Sequence, residues 1–125
     1  MNYKSLHTCI RVKDLQESIN FYQEALNMKI TSKKDFPEKK FSLVYMTADD
    51  NQEIELTYNY GDNEYSHGDY YGHMAFGVDD LEASRKRHEE LGIKVYEIKQ
   101  LDDETRYYFI EDPDGFKIEI IDLSL

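Results

Sequence analysis

Two stretches of the chain repeat one another, and no other feature limits its fold as strongly. His7-x4-Val12-x-Asp14-Leu15-x2-Ser18 recurs 66 positions later as His73-x4-Val78-x-Asp80-Leu81-x2-Ser84. A second pair of segments, Ile54-Glu55-Leu56 and Ile118-Glu119-Ile120, recurs at an offset of 64. A duplication of this length implies two copies of one supersecondary unit, each too small to cover its own apolar face. The 125 residues therefore read as a single domain over 1–125 made of two modules, about 5–60 and about 72–123.

The first module starts with a strand over residues 5–12. Its two-residue period sets Leu6, Ile10 and Val12 on one face and His7, Cys9 and Arg11 on the other. Asp14 caps a helix in which Leu15, Ile19, Tyr22 and Leu26 recur at helical spacing before Asn27, with Glu17 placed for a capping box. Strands follow at Lys29–Ser32, Phe41–Thr47 and Glu53–Asn59, the last two joined by the turn-forming Asp49-Asp50-Asn51. The second module repeats the order: a strand at Gly72–Val78, a helix over Leu81–Leu91 capped by Asp80 and stopped by Gly92, and a strand at Lys94–Ile98. Strands at Tyr107–Glu111 and Phe116–Asp122 complete it, joined by the turn Asp112-Pro113-Asp114-Gly115. Gly61–Tyr71 lacks either periodicity and reads as the linker. The expected class is α+β: two βαβββ modules forming a curved mixed sheet, with the helices on its outer, apolar face.

The alternation within the last strands matters for chemistry. Ile54 and Leu56 face one way, so Glu55 faces the other, as His7 does; Glu119 lies opposite Ile118 and Ile120, and His73 opposite Met74, Phe76 and Val78. Taken singly, each is an ordinary strand residue. Packing explains the retention of Val12/Val78 and Leu15/Leu81, but it requires no His and Glu at equivalent non-core positions of both copies. His7, Glu55, His73 and Glu119 are thus candidate ligands of one divalent cation. Two imidazoles and two carboxylates suit a six-coordinate ion with two positions open to water or substrate, and nickel, cobalt, manganese and zinc all fit that donor set. The absence of thiolates disfavours a cysteine-rich structural zinc site.

Arg11 and Asn59 lie four residues beyond the first His and Glu, on the same face; the matching positions in the second copy are Gly77 and Leu123. One half thus offers a cation and an amide for a carboxylate or peptide-like group, and the other leaves room. Cys9 shares the ligand face and reads as a bystander, His88 falls on the helix stripe at Tyr22's place and reads as packing, and His67 reads as a solvated linker residue.

The net charge of −11 and a pI near 4.7 would repel phosphate backbones and anionic membranes, which argues against nucleic-acid and membrane partners. No apolar run reaches the roughly 18 residues of a membrane span, and no signal-peptide pattern opens the chain. With one cysteine, the expected location is the cytoplasm.

The segments LHTCIRVKDLQESINFYQEALNMKI, EIELTYNY, YGHMAFGVDDL and EDPDGFKIEII, in that order, resemble glyoxalase I (lactoylglutathione lyase) of the vicinal oxygen chelate superfamily over nearly the whole length. The resemblance implies that His7, Glu55, His73 and Glu119 bind one catalytic metal per site, and that Arg11 and Asn59 contact the glutathione part of the substrate. It also implies a homodimer with sites at the subunit interface, two ligands coming from each chain. A first ligand of His in a short chain points to the nickel or cobalt class, with zinc or manganese as alternatives.

The implied reaction is isomerisation of the hemithioacetal of methylglyoxal and glutathione to S-lactoylglutathione. The metal polarises the carbonyl while a carboxylate moves a proton between neighbouring carbons. Glu119 is the expected base, and Glu55 the second candidate for the opposite enantiomer. Two other functions of the fold remain as alternatives: a metal-dependent thiol transferase of the fosfomycin-resistance type, and a non-catalytic small-molecule binder. Asp69 before His73 and the acidic Leu101-Asp102-Asp103-Glu104 depart from the pattern of longer members. They leave the thiol open, with Arg106 or Lys117 as compensating cations.

Overall fold

The structure, a computed structural model, describes residues 1–61 and 64–125, and the chain divides into two compact units, Met1–Ser66 and His67–Leu125. Asp62 and Asn63, within the expected linker, lie outside the described residues. The first unit contains β1 (His7–Arg11), α1 (Leu15–Leu26), β2 (Lys29–Phe36), β3 (Phe41–Thr47) and β4 (Glu53–Asn59). The second contains β5 (Met74–Val78), α2 (Leu81–Glu90), β6 (Lys99–Asp102), β7 (Thr105–Glu111) and β8 (Lys117–Asp122). The βαβββ order and the α+β class are as expected. Each unit carries its own four-stranded mixed sheet, ordered β1-β4-β3-β2 and β5-β8-β7-β6, with first and last strands parallel and the other pairs antiparallel.

The helices form where the sequence punctuates them. Asp14 is extended and its carboxylate accepts from the Glu17 N–H at 3.0 Å; Asp80 does the same for Ala83 at 3.1 Å. Asn27 ends α1 in the left-handed region at φ 53°, where an amide side chain is among the few tolerated. Ile19, Tyr22 and Ala25 of α1 are buried together with Ile10, Val44, Met46, Ile54 and Leu56 of the sheet, and this apolar layer is the first unit's core. Leu6 does not join it: it precedes β1 and is 68% exposed.

The second unit fills the same space with different chemistry. His88 and Tyr108 are buried at the places of Tyr22 and Val44, and the Tyr108 hydroxyl lies 2.7 Å from both His88 Nδ1 and Ser84 Oγ. Packing thus accounts for His88, as expected.

Six strands differ in their bounds from expectation: β1, β7 and β8 by one or two residues at an end, and β2, β5 and β6 as follows. β2 runs to Phe36 rather than Ser32, because a bulge between Ile30 and Ser32 restores pairing for the polar Lys33-Lys34-Asp35, whose charges suit an edge strand. The strand expected at Lys94–Ile98 is instead β6 at Lys99–Asp102. Val95 makes only an isolated bridge to Ile110, and the Tyr96 carbonyl is taken by Arg85 Nε at 2.8 Å. Met74 rather than Gly72 opens β5. The Asp112–Gly115 turn forms as expected: Asp112 is 5% exposed and its carboxylate accepts from the Asp114 and Phe116 N–H groups, both at 2.9 Å.

Tyr108→Phe should destabilise the fold by about 1–3 kcal/mol, because it removes a partner that Ser84 and His88 share in a buried site; urea unfolding measures it. A pH effect follows from Glu111. A hydrogen bond from Tyr96 and the ammonium of Lys94 outweigh burial and hold this carboxyl below its ordinary 4.5. A depressed folded value contributes stability above the unfolded value, lost as pH falls through the folded one. Glu111→Gln should therefore lower the urea midpoint at neutral pH, with the gap to wild type closing below about pH 4.

Candidate functional site

Strand pairing brings together residues far apart in sequence. The β1–β4 register pairs Cys9 with Glu55 and Ile10 with Leu56, so burial of Ile10, Ile54 and Leu56 turns His7 and Glu55 to the opposite face. There His7 Nε2 lies 3.3 Å from Glu55 Oε2. In the second unit the β5–β8 register does the same for Ile118 and Ile120, and His73 Nε2 lies 3.1 Å from Glu119 Oε1. Each imidazole also meets an aromatic ring edge-on: His7 with Tyr45 at 5.4 Å, and His73 with Phe109 at 5.3 Å.

These spacings suit a shared cation. Metal–ligand bonds of about 2.1 Å set adjacent donors of a four- to six-coordinate ion roughly 3.0–3.4 Å apart, and both pairs fall in that range. Both glutamates are largely shielded while the imidazoles stay partly open, with side-chain exposures of 13% and 16% against 35% and 44%. Among the described residues there is no group of three or more His, Cys, Asp and Glu that could hold an ion, and each unit holds one imidazole–carboxylate pair.

The two carboxylates differ in surroundings. Tyr45 donates to Glu55 Oε2 at 2.5 Å and Thr57 Oγ1 donates to Oε1 at 3.2 Å, while Cys9 Sγ lies 3.1 Å from Thr57 Oγ1. Burial raises the Glu55 pKa, but the bonds from Tyr45 and Cys9, the His7 charge and Thr57 together bring it below 4.5. The same bond, reinforced by burial, pushes the Tyr45 phenol up to about 12. Neither Tyr45 nor Thr57 was among the residues expected at the site. Strand alternation carried the signal, since Tyr45 lies between the buried Val44 and Met46.

Arg11 ends β1 exposed and in register with Thr57, and no carboxylate among the described residues pairs with it. Asn59 ends β4 and its amide donates to the Tyr65 hydroxyl at 3.2 Å. The room expected at Gly77 is filled: a Cβ there would come within 2.6 Å of a Leu123 methyl. Arg106 is not a spare cation either, because it is bound to Glu82 and to Asp122, the latter at 3.2 Å; Lys117 lies over the Tyr96 ring at 5.4 Å. His67 is stacked on Phe116 at 4.4 Å rather than solvated.

A model of the Glyoxalase/Bleomycin resistance protein/Dioxygenase superfamily matches residues 4–120. The chain is 43% identical to the lactoylglutathione lyase of Haemophilus influenzae over 94% of its own length and 90% of that protein. It is likewise 43% identical to the lactoylglutathione lyase of Escherichia coli O157:H7, with the same coverage. Among solved structures, the trypanothione-dependent glyoxalase I of Leishmania major superposes with a TM-score of 0.83 at 38% identity, covering 97% of this chain and 87% of that one. Glyoxalase I of Zea mays superposes with a TM-score of 0.89 at 31% identity, covering 98% of this chain and 45% of the longer one. With the duplicated βαβββ units and their His–Glu pairs, these matches establish that the chain belongs to the glyoxalase/bleomycin resistance protein/dioxygenase superfamily and, within it, to the lactoylglutathione lyase (glyoxalase I) family.

Proposed function

We propose that the protein is a lactoylglutathione lyase, isomerising the hemithioacetal of methylglyoxal and glutathione to S-lactoylglutathione and so detoxifying methylglyoxal. Two imidazole–carboxylate pairs at equivalent places of a duplicated fold carry this assignment, and relatives of that name at 43% identity support it. The relatives favour neither the thiol transferase nor the non-catalytic binder.

His7, Glu55, His73 and Glu119 would hold one divalent ion per site. Nickel or cobalt is favoured by a first ligand of His in a short chain, and zinc or manganese also suits the donor set. In this reading the protein is a homodimer whose sites take one His–Glu pair from each chain, each unit supplying one such pair. When bound, the ion supplies Lewis acidity that polarises the substrate carbonyl and makes the adjacent C–H acidic. Glu119 takes that proton from one carbon and returns it to the next, and Glu55 is the corresponding group for the opposite enantiomer. Arg11 offers a guanidinium fork to a glutathione carboxylate, and Asn59 an amide to its peptide groups. The chain's acidic surface and the Leishmania relative's use of trypanothione keep a different thiol as a variant of this reading. A lone cysteine fits a reducing cytoplasm.

Metal-free protein loaded separately with nickel, cobalt, zinc or manganese should form thioester from methylglyoxal and glutathione with at least one ion; failure with every ion and thiol rejects the assignment. Glu119→Gln should lower kcat by about 10²–10⁴-fold with little change in the unfolding midpoint. Arg11→Ala should raise KM for the glutathione adduct while leaving kcat nearly unchanged, as expected for a contact equally strong in ground and transition states.

A further inference from the structure

The two glutamates sit in the same backbone frame with opposite side-chain surroundings. Glu55 is in register with Cys9 on one neighbouring strand and Tyr45 on the other; Glu119 is in register with Ala75 and Phe109. Two residues further along the glutamate's own strand stand Thr57 in the first unit and Ile121 in the second. Every hydroxyl or thiol beside Glu55 is thus replaced beside Glu119 by hydrocarbon: Tyr by Phe, Cys by Ala, Thr by Ile. Backbone drift does not explain the difference, since each imidazole keeps its edge-on ring contact, at 5.4 and 5.3 Å.

The physical effect falls on side-chain mobility. Glu55 accepts from Tyr45 on one oxygen and from Thr57 on the other, so its carboxylate cannot turn or withdraw without breaking both bonds. A carboxylate has about four lone-pair positions, and these two bonds leave one on each oxygen for a cation. Around Glu119 no group at the corresponding places can hold the carboxylate, and His73 at 3.1 Å is the neighbour it meets.

We propose that Tyr45, backed by Thr57 and Cys9, is a positioning residue that restrains Glu55 as the less mobile of the two carboxylate ligands, so that proton transfer by Glu119 needs less rearrangement than proton transfer by Glu55. This rests on the isomerase reading above and divides the labour between two otherwise equivalent carboxylates. Restraining a ligand from behind improves metal affinity, typically 10–100-fold, whereas restraining the carboxylate that must move slows turnover.

The test uses cobalt(II) alone as the binding probe, with turnover measured separately. Tyr45→Phe keeps the ring against His7 and removes only the hydroxyl; it should weaken cobalt binding about tenfold or more and alter the cobalt absorption spectrum, with the unfolding midpoint nearly unchanged. Thr57→Val should weaken cobalt in the same direction, which covers the case in which Tyr45→Phe unfolds. Phe109→Tyr places a phenol beside Glu119; it should lower kcat about tenfold or more, with KM little changed and cobalt bound at least as tightly. Wild-type protein that binds no cobalt overturns the metal reading and this inference with it. Wild type that binds cobalt, with Tyr45→Phe and Thr57→Val binding it equally well, overturns the pinning of Glu55 and leaves the isomerase intact. Undiminished kcat in Phe109→Tyr overturns the assignment of mobility to Glu119.

Discussion

The parallel pairing of the first and last strands of each unit is the constraint on which the rest depends. His7 and Glu55 lie 48 positions apart in sequence and become neighbours only because a helix carries the chain back until β4 lies beside β1. The register of that pairing is held by hydrocarbon: Ile10, Ile54 and Leu56 are buried on one face, and a slip of one residue would exchange them for Glu55 and its neighbours. Asp14 and Asn27 at the ends of α1 set where the chain turns, and Ile19, Tyr22 and Ala25 press the helix onto the sheet. The polar pair is therefore oriented by apolar burial on the reverse side.

The two units show how far side chains can diverge on one backbone plan. In the core, the places of Tyr22 and Val44 become His88 and Tyr108, and a buried hydrogen bond stands where the first unit has a hydrocarbon partner. On the opposite face the change runs the other way, from Tyr45, Cys9 and Thr57 beside Glu55 to Phe109, Ala75 and Ile121 beside Glu119. Each exchange satisfies the polar groups it introduces, in keeping with the absence of buried unpartnered side-chain atoms among the described residues.

Much of this was legible in the sequence. The duplication, the caps and the alternation in the last strands predicted the element order, both helices and the shared face of each His and its Glu. Periodicity failed where polar residues form strand: Lys33-Lys34-Asp35 lies on an edge and owes its pairing to a bulge, which no pattern of hydrophobicity reveals. It failed again at Val95 and Tyr96, which alternate like a strand while Arg85 takes the backbone acceptor a ladder would need. The hydrogen bond from Tyr45 to Glu55 escaped because alternation puts Tyr45 on that face but the second copy has Phe109 there, so no repeat singles it out. Arg106 looked available because ion pairing with Glu82 and Asp122 depends on neighbours contributed by a helix and another strand.

The hairpin turns explain why the repeat offset falls from 66 to 64. Residues 37–40 join β2 to β3, four in all, whereas 103–104 join β6 to β7 with two. Chain length there can change freely, because the facing of Glu55 and Glu119 is decided further on by how each final strand lies against its unit's first. These tips can thus be lengthened, shortened or recharged without changing which way Glu55 and Glu119 face. An insertion of one residue inside β4 or β8 has no such licence, since it would carry the carboxylate to the wrong side of the sheet.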